Sequence, residues 1–593
     1  MYMCGIIAGA SKRPITSFLI QGLKQLEYRG YDSSGVGVLK DGRFELERKI
    51  CAKNIDALKL ETSNNESFTD SHVGVAHTRW ATHGGVSVEN AHPHQGPLAK
   101  IMLVHNGIIE NFEELKKHID ESKLIGQTDT EVLAHYIENL CEDGETLKEV
   151  LEKAIPNIRG EWNGVVLRDT GECIAIRKSG QSLVCGMSDE GVFVASDEQA
   201  LPTSVVQVYE ISHGNMTEIK EGNILFYDSY GKEMNCEPRE RVVFPVHIIE
   251  GEMMAGEIRS QDTTLKALIQ GIKNQQDIVK DFFSILSSEE VKEIMFIACG
   301  TSFNAGLCVA REWEKVFQKP VQVIIASEME SVTRKLAGVV VVALSQSGST
   351  QDVLGAVAYA KKQGVEKVIA ITNKKYSAIR EIADVLFDVC AGPEFGVAAS
   401  KTFSHTVLSL LALSKTISDD DIQMSLPKIT QIIKDTDIPT ERFAKAIQKT
   451  STVLYLGKHS LQPVAVEGAL KIKEISYIHA EGFAAGELKH GPIALVESGV
   501  PVLVLIRHDV AEEAVLGSLR EVEARGAVAY VICEEGVRLP TIPEERIIVV
   551  PNLGALHQIA FTIPLQLLAY HAAKAKDFDP DKPRNLAKSV TVK

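Results

Sequence analysis

The second half of the sequence repeatedly alternates short apolar runs with longer helix-like stretches. The first set of runs is Val291–Ala298, Val321–Ala326, Val339–Leu344, Val368–Thr372 and Val385–Val389, and a second set is Val453–Leu456, Val500–Ile506, Ala527–Ile532 and Ile547–Val550. Continuous apolar runs separated by helices are typical of parallel strands that are buried on both faces. We therefore predict an internal duplication, with two α/β doubly wound parallel-sheet domains at residues 285–425 and 445–583.

The first half, residues 4–235, has a different pattern of many short strands with two helices. The strands are expected at Val73–His77, Ile101–His105, Gly164–Leu167 and Val192–Ala195. One helix follows Ile109, and another begins at the capping-box sequence 128–131 and runs through Cys141. This mixture predicts an α+β domain. Residues 236–284 then form a linker and the first helix of the second half, and residues 584–593 form a C-terminal tail.

Composition narrows the function classes. The 593 residues exceed what one hydrophobic core usually supports. The net charge of −16, without a basic block, argues against nucleic acid or an anionic membrane as a partner. Ten cysteines without CxxC spacing indicate reduced thiols in a cytoplasmic protein rather than disulfides or a zinc site.

Cys4 is a candidate nucleophile. An α-amine has a pKa of about 7.7–8.0, so a thiol on the first residue of a chain can use its own amine as the base that covalent catalysis needs. The alternative is a small buried structural cysteine. Because bulky Tyr2 prevents simple removal of Met1, we expect the functional chain to begin at Cys4 through a start at Met3 or a clipped leader.

Polar clusters at strand ends supply the helpers that a cysteine needs to attack an amide. The Asn106 side chain and the Gly107 N–H can form an oxyanion hole. Arg79 can clamp a substrate carboxylate, and Asp129 can hold an ammonium group. Each also has a structural interpretation: a turn dipeptide, a surface ion pair and a favourable charge at a helix N-terminus.

The motifs of the first half resemble those of class II (N-terminal nucleophile) glutamine amidotransferase domains. The matching segments are residues 3–6, 28–33, 77–84, 90–94 and 105–111. The resemblance implies a four-layer αββα fold that hydrolyses glutamine through a thioester on Cys4, with Arg79 and Asp129 on the amino-acid end. The side chains that it implies as lining this site are Trp80, Thr82, His83 and His92. Trp80 is the implied gate between two active sites.

A hydroxyl-rich turn, Ser345-Gln346-Ser347-Gly348-Ser349-Thr350, follows the run Val339–Leu344 and precedes a helix-like stretch. Strand, turn and helix N-terminus together form an anion cradle. The turn has no Gly-Lys-Ser/Thr, which favours a small phosphate monoester over a nucleotide. Thr301 and Ser302 end a neighbouring strand at the same sheet edge. The second copy has no such serines, so we expect only the first to bind phosphate; an ordinary serine-rich turn is the alternative.

The second copy carries a different polar cluster, which comprises Lys471–Ser476, Glu481 and Gly486–Pro492. A carboxylate and a histidine beside a sugar phosphate form an acid–base pair suited to isomerisation. The alternative is a solvated helix face. A lysine in the tail 584–593 can form a Schiff base if burial lowers its pKa.

The two repeats resemble SIS (sugar isomerase) domains. Residues 467–492 and 583–592, taken with the first half, resemble the isomerising glutamine–fructose-6-phosphate aminotransferases. That resemblance implies conversion of L-glutamine and D-fructose 6-phosphate to L-glutamate and D-glucosamine 6-phosphate, the first step toward UDP-N-acetylglucosamine. It also implies that no metal or organic cofactor is needed.

The same resemblance implies residue roles. The sugar-phosphate contacts are Thr301, Ser302, Ser345, Gln346, Ser347, Thr350, Val397 and Ala587. His490, from the neighbouring subunit of a homodimer, opens the sugar ring, and Lys588 forms an imine with the ketone. Glu474 moves a proton between C1 and C2, and Lys471 steadies the developing negative charge.

Two other functions remain open. Ala399 stands where the family usually has serine, which keeps open a related amidotransferase that acts on another phosphosugar. A non-catalytic SIS-type sugar-phosphate sensor is the other alternative. The joint presence of the four implied catalytic side chains, Cys4, Glu474, His490 and Lys588, argues against a sensor, which needs none of them.

Overall fold

The computed structural model describes residues 4–50, 54–81, 83–179, 181–220, 222–241, 252–586 and 588. Contacts within the chain divide it into two units, one with the described residues up to 241 together with Lys588, and one with residues 252–586. Each unit has its own sheets and its own core. In the part of the chain that the structure describes, no helix is both long and apolar enough to cross a membrane.

The first unit contains an eight-stranded sheet, in the order β15-β11-β9-β10-β1-β4-β2-β3, and a seven-stranded sheet, in the order β14-β13-β12-β8-β7-β6-β5. Its strands are β1 (Gly5–Ser11), β2 (Ser33–Lys40), β3 (Arg43–Lys49), β4 (Val73–Arg79), β5 (His94–Gln95), β6 (Ile101–Gly107), β7 (Trp162–Arg168), β8 (Cys173–Lys178), β9 (Val184–Ser188), β10 (Gly191–Ala195), β11 (Gln207–Glu210), β12 (Met216–Lys220), β13 (Asn223–Tyr227), β14 (Glu233–Met234) and β15 (Arg239–Glu240). Its helices are α1 (Thr16–Leu26), α2 (Asn54–Ser63), α3 (Glu66–Thr69), α4 (Phe112–Lys116), α5 (Asp129–Asn139) and α6 (Leu147–Ala154).

The two sheets of the first unit pack face to face, and helices cover both outer faces. Strand β1 shows why, because its side chains alternate between two cores. Ile6 and Ala8 pack between the sheets, whereas Ile7 packs under α1. Helices α4–α6 cover the outer face of the seven-stranded sheet. The four-layer αββα fold is therefore confirmed.

The four strands predicted in the first half are all present, but the expectation of two helices was wrong. Helix α1 repeats apolar residues at helical spacing, Leu19, Ile20, Leu23 and Leu26, and buries them. At α5 the Thr128 hydroxyl accepts from the Glu131 N–H, as predicted. The Glu131 carboxylate, however, accepts from the N–H groups of residues 125 and 126, so the capping box is only half formed.

The second unit contains two five-stranded parallel sheets. Its strands are β16 (Glu293–Ala298), β17 (Val321–Ile325), β18 (Val339–Ser345), β19 (Lys367–Thr372), β20 (Val385–Asp388), β21 (Thr452–Gly457), β22 (His479–Ala484), β23 (Pro501–Ile506), β24 (Val528–Glu534) and β25 (Ile547–Val550). Its helices are α7 (Met253–Arg259), α8 (Gln261–Asn274), α9 (Gln276–Ser287), α10 (Gly300–Phe317), α11 (Gln351–Lys362), α12 (Ile379–Ile382), α13 (Lys401–Leu413), α14 (Asp419–Ile447), α15 (Leu461–Ser476), α16 (Glu512–Glu523) and α17 (His557–Ala575).

The two parallel sheets have the same strand order, which confirms the internal duplication. The orders are β17-β16-β18-β19-β20 and β22-β21-β23-β24-β25, so each copy runs 2-1-3-4-5 in its own numbering. Both faces of the strands are buried: Ile294 and Phe296 pack on one side of β16, and Met295 and Ile297 on the other. Strand order reverses between β16 and β18, where ligands bind in open α/β sheets.

A buried histidine makes the stability of the second unit sensitive to acid. His405 on α13 lies 2.8 Å from the Val389 carbonyl through Nδ1, and burial lowers its pKa to about 4. An unfolded histidine has a pKa of about 6.5. Between these values the unfolded chain binds a proton that the folded chain does not bind, so stability falls as the pH drops from about 6.5 toward 4, by up to about 1.4 kcal/mol per pH unit.

We predict that His405→Asn reduces this pH dependence of the free energy of unfolding. Urea unfolding of protein labelled with 5-fluorotryptophan measures it, because the buried Trp313 donates its indole N–H to the Leu410 carbonyl on α13 and reports on this region. His213→Asn, at an exposed position of the first unit, is the control. An unchanged slope between pH 6.5 and 4 in His405→Asn would contradict the prediction.

Candidate active sites

Cys4 lies immediately before β1, the strand at the centre of the eight-stranded sheet, and is 3% exposed. Antiparallel pairing of Gly5 with Thr78 on β4 brings Cys4 beside the residues that follow β4. The Trp80 N–H donates to the Cys4 Sγ at 3.3 Å. Burial raises the pKa of the Cys4 thiol to about 11, although the Trp80 amide and the Arg79 charge oppose the shift. The thiol is therefore protonated at neutral pH and needs a base.

The end of β6 meets Cys4 from the opposite sheet. Asn106 donates through Nδ2 to the Cys4 carbonyl at 2.9 Å. His77 Nε2 lies 3.0 Å from both the Asn106 Oδ1 and the His105 carbonyl, two acceptors, so Nε2 carries the proton. Gly107 has φ +141, and a Cβ there would lie 2.4 Å from the Glu161 carbonyl. Only glycine fits at this position.

Arg79 and Asp129 face the same small cavity as the thiol, and the cavity has room for about one water molecule. Its lining residues are Cys4, Arg79, Trp80, His83, His92, His105, Gly107, Thr128, Asp129 and Thr130. Asp129 accepts from the Ile109 N–H at 2.9 Å. A cation and an anion that line the same cavity as a thiol suit the two charged groups of an amino acid. Of the predicted lining residues, Thr82 lies outside the described residues.

Histidines surround this site but are poor bases. His92 stacks on His77 with ring centroids 4.2 Å apart. Burial lowers the pKa of His77 to about 3 and lowers the pKa values of His92, His94 and His105. All four imidazoles are therefore neutral at pH 7.

Side-chain hydrogen bonds from Arg79 and Asn90 hold the loop from residue 83 to 91. The Arg79 guanidinium donates to the carbonyls of His83, Gly84 and Gly85. Asn90, which is buried, donates to the Gly85 carbonyl at 3.0 Å and accepts from the Gln127 N–H at 2.7 Å. Asn90 thus joins the loop 83–91, which contributes His83 to the cavity wall, to the segment at Gln127, and we call these two joined loops the cover.

In the second unit, the predicted phosphate loop follows β18 and leads into α11. Ser345 and Ser347 are buried, and their hydroxyls lie 3.1 and 3.3 Å from the Thr350 Oγ1. The Gly348 N–H donates to the Ser345 Oγ at 3.0 Å. The Gln346 carbonyl accepts from the Asn373 N–H at 3.1 Å, which fixes the turn to the end of β19. Hydroxyl and N–H groups at the N-terminus of a 12-residue helix match an anion site.

The neighbouring strand β16 is followed by α10, whose first turn carries Thr301 and Ser302. Thr301 contacts α15, where a polar face is formed by Glu467, Lys471 and Glu474. The Lys471 Nζ lies 2.6 Å from Glu474 and 3.4 Å from Glu467, and it donates to the Thr301 Oγ1 at 3.0 Å. The structure therefore brings Lys471 and Glu474 of the second repeat to the strand ends of the first.

Lys471 is 1% exposed and charged. Burial favours its neutral form, but the carboxylates of Glu467 and Glu474 outweigh burial and raise its pKa. A charged ammonium stabilises negative charge but does not attack a carbonyl. Glu467 and Asn304, joined at 2.8 Å, complete this cluster and were missed. The position of Glu467 one turn before Lys471 is the signal that was available for it.

Four further predicted residues lie in other elements of the fold. His490 is exposed in a short 3-10 turn after β22, and Glu481 is exposed on the edge strand β22. Val397 is buried in the segment before α13. Lys588 is partly exposed, and Ala587 lies outside the described residues. No set of three or more His, Cys, Asp or Glu side chains within the described ranges can hold a metal ion.

Comparison with protein-family models assigns both units. A glutamine amidotransferase domain model matches residues 77–203, and an SIS domain model matches residues 289–415 and 446–575. The fold and the two sites therefore define a glutamine amidotransferase domain followed by two SIS domains.

Curated relatives match over the whole chain. The glutamine–fructose-6-phosphate aminotransferase [isomerizing] of Haemophilus influenzae is 37% identical over 627 residues, and that of Pseudomonas aeruginosa is 36% identical over 617, each covering 100% of both chains. The chain belongs to the glutamine–fructose-6-phosphate aminotransferase family.

Solved structures resemble the second half. The C-terminal domain of glucosamine-fructose-6-phosphate aminotransferase from Francisella tularensis has a TM-score of 0.50 and 30% identity, covering 57% of this chain and 100% of that chain. Tagatose-6-phosphate ketose/aldose isomerase from Escherichia coli has a TM-score of 0.51 and 19% identity, covering 57% and 97%. The second likeness concerns the fold alone.

We predict that Asn90→Ala raises the KM for glutamine about tenfold, because two buried hydrogen bonds that hold the cover are lost. The measurement is glutamine hydrolysis over a range of glutamine concentrations. Asn65→Ala removes a cap on the exposed α3 and is the control. A KM that matches the control would show that Asn90 does not hold the cover.

We predict that Gly348→Ala weakens binding of a sugar phosphate at least about tenfold. Gly348 has φ +61, and a Cβ there would lie 2.0 Å from the Ser377 Oγ, so the loop must shift. Calorimetric titration with fructose 6-phosphate measures the affinity. Gly517→Ala, on α16 with no atom within 4 Å of the added carbon, is the control. Equal affinities in the two variants would argue against this loop as the phosphate site.

Proposed function

We propose that this protein transfers the amide nitrogen of L-glutamine to D-fructose 6-phosphate, yielding L-glutamate and D-glucosamine 6-phosphate. The observation that carries the proposal is the pairing of two sites in one chain. One holds a thiol in a cavity that Arg79 and Asp129 also line, and the other has the Lys471–Glu474 pair and a serine-rich anion loop at the strand ends of the first repeat.

In the first unit, the Cys4 thiolate attacks the side-chain carbonyl carbon of glutamine. Arg79 and Asp129 hold the carboxylate and ammonium groups of glutamine. The Asn106 Nδ2 and the Gly107 N–H stabilise the oxyanion. Ammonia leaves with the proton taken from the thiol, and water then hydrolyses the thioester to glutamate and the free thiol.

The base in this step needs a pKa near neutrality, which the buried histidines lack. We propose the α-amine of Cys4, exposed by removal of residues 1–3. Intact-mass measurement of the purified protein reports the start of the chain.

In the second unit, the sugar phosphate lies on Ser345, Gln346, Ser347 and Thr350, with Thr301, Ser302, Val397 and Ala587 alongside. His490 of a neighbouring subunit opens the ring, which its exposed position in one chain allows. Lys588 forms an imine at C2 with loss of water, and ammonia from the first site displaces it.

Isomerisation follows on the resulting C2 imine. Glu474 takes a proton from C1 and returns it at C2, which leaves an aldehyde at C1 and an amine at C2. The charged Lys471, 2.6 Å from Glu474, stabilises the negative charge that develops while the proton is in transit. Trp80, whose backbone N–H contacts Cys4, gates the passage of ammonia.

The proposal includes an organisation into residues 4–235, 236–284, 285–425, 445–583 and the tail 584–593. It also includes a homodimer, because His490 acts on the neighbouring subunit's sugar. A cytoplasmic location agrees with the nine described cysteines, all of which are free thiols. No membrane or nucleic acid partner is part of the proposal.

We predict that Cys4→Ala abolishes formation of glucosamine 6-phosphate from glutamine but retains it from added ammonia. Lys588→Ala abolishes both, because the imine site serves either nitrogen source. The assay is product formation from fructose 6-phosphate with glutamine or with ammonium salt.

Cys141→Ala, at a partly exposed thiol of the first unit, is the control for loss of a cysteine. Normal glutamine-dependent activity in Cys4→Ala would refute Cys4 as the nucleophile. Absence of product with either nitrogen source in the unmodified protein would favour a sensor over an enzyme.

A further inference from the structure

We propose that Glu257 is a positioning residue of the sugar-phosphate site. Its buried carboxylate accepts hydrogen bonds from main-chain N–H groups just before Val397 and from the Ser400 hydroxyl just after it. Helix α7, which carries Glu257, links this segment to Asp581 near the C-terminal tail. The inference rests on the proposed function, which identifies this region as the sugar-phosphate site. The coupling between Asp581 and the segment around Val397 can be measured without catalysis.

The first part of the argument is the contact between Glu257 and the segment 394–400, which lies outside helices and strands. Glu257 is 7% exposed. Its Oε1 accepts from the N–H groups of Phe395 and Gly396, the latter at 3.1 Å, and its Oε2 accepts from the Ser400 hydroxyl at 3.2 Å. Buried main-chain N–H groups that have no place in a helix or sheet need such acceptors, and an ionised acceptor gives the stronger bonds.

A second buried carboxylate fixes the far end of the segment. Glu394 accepts from the N–H groups of Ser400 and Thr402, each at 3.0 Å, and from the Thr402 hydroxyl at 2.7 Å. The two carboxylates therefore hold residues 395–396 and 400–402, which flank residues 397–399. These three residues include Val397, proposed to contact the sugar, and Ala399, where the family usually has serine.

Close packing supports the same geometry. A Cβ on Gly396 would lie 3.0 Å from the Glu257 Oε2 and 3.4 Å from the Met254 Cβ. Helix α7 therefore lies directly against the segment. The Ser400 carbonyl is also fixed, because it accepts from the Gln566 side chain on α17 at 2.8 Å.

The other end of α7 is held by Asp581. This carboxylate, 6% exposed, accepts from the N–H groups of Met253 and Met254, both at 2.8 Å. A carboxylate at a helix N-terminus satisfies N–H groups that the helix itself cannot pair and interacts favourably with the helix dipole. Asp581 precedes Lys588, the proposed imine-forming residue, by only seven positions.

These contacts give α7 a function beyond packing. This helix has seven residues, and it is attached by Asp581 at its N-terminus and by Glu257 to the segment around Val397. We therefore expect a substitution of Asp581 to change the amide hydrogen exchange of Phe395 and Gly396, although no described hydrogen bond joins Asp581 to either residue.

The experiment combines Glu257→Ala and Glu257→Gln with Asp581→Asn in the full-length protein. Amide hydrogen exchange of the peptide that covers residues 395–402 reports the segment directly. The KM for fructose 6-phosphate shows whether the segment takes part in sugar binding. Glutamine hydrolysis without sugar measures the activity of the first unit. Glu252→Ala, on the residue preceding α7, is the matched control, because that side chain is half exposed and lies near Arg259.

The expected result is faster exchange of residues 395–402 and a rise in the KM for fructose 6-phosphate of about tenfold or more in Glu257→Ala. Glutamine hydrolysis stays within about twofold, because catalysis there uses the first unit. Glu257→Gln, which keeps one carbonyl oxygen, gives a smaller effect in both readouts. Asp581→Asn accelerates exchange at residues 395–402, and Glu252→Ala changes neither readout.

Each other outcome overturns a stated part of the proposal. Faster exchange without a change in KM removes the segment from the sugar site. Unchanged exchange in Asp581→Asn removes the coupling through α7. If Glu257→Ala does not fold, Glu257→Gln decides, and exchange identical to wild type then refutes the role of Glu257. A wild-type protein that makes no product refutes the proposed function, while the exchange data still test the contacts.

Discussion

The buried ammonium of Lys471 is the charge around which the second unit is arranged. Taking an ammonium group out of water costs several kcal/mol unless partners compensate for it. Here Glu467 and Glu474 supply the opposite charge on the same helix face, and Thr301 accepts a hydrogen bond from the ammonium. Because Thr301 belongs to the other repeat, the compensation is complete only when α15 lies against α10. The ion pair therefore helps to fix how the two repeats pack.

In the first unit, by contrast, the buried nucleophile is neutral. This unit buries a neutral thiol and four neutral imidazoles, and its two charged side chains, Arg79 and Asp129, line the cavity. A neutral buried nucleophile is unreactive until a base acts on it. The protein thus keeps the thiol protonated by burial, whereas it keeps the lysine of the second unit charged by ion pairing.

The sequence predicted the strands of the second unit because burial on both faces leaves a readable apolar run. It missed the edge strand β22, because His479 and Glu481 are exposed and polar and this strand therefore has no such run. The serine loop and the charges of α15 were local patterns and were found, although the hydrogen bond from Lys471 to Thr301 of the other repeat was not specified by spacing. The αββα fold came from the family resemblance, and the short-strand pattern by itself underestimated the helices.

The Glu257 network was beyond the reach of local patterns, since Asp581 and the Met253 N–H that it binds are 328 residues apart. Only the folded chain brings them together. The same holds for Asn90, whose partners lie in two separate loops. Such residues carry ordinary sequence signals, because an acidic residue on a short helix or an asparagine in a turn has many common structural uses.

The equal strand order of the two repeats, with serines at only one switch point, separates anchoring from chemistry within a duplicated fold. One copy supplies the anion loop, and the other supplies the helix that carries Lys471 and Glu474. Substitutions in the first copy can alter which phosphorylated compound is held while the proton-transfer groups remain unchanged. In a duplicated domain of this kind, ligand preference and reaction type can evolve separately, because different copies supply the residues for each within one composite site.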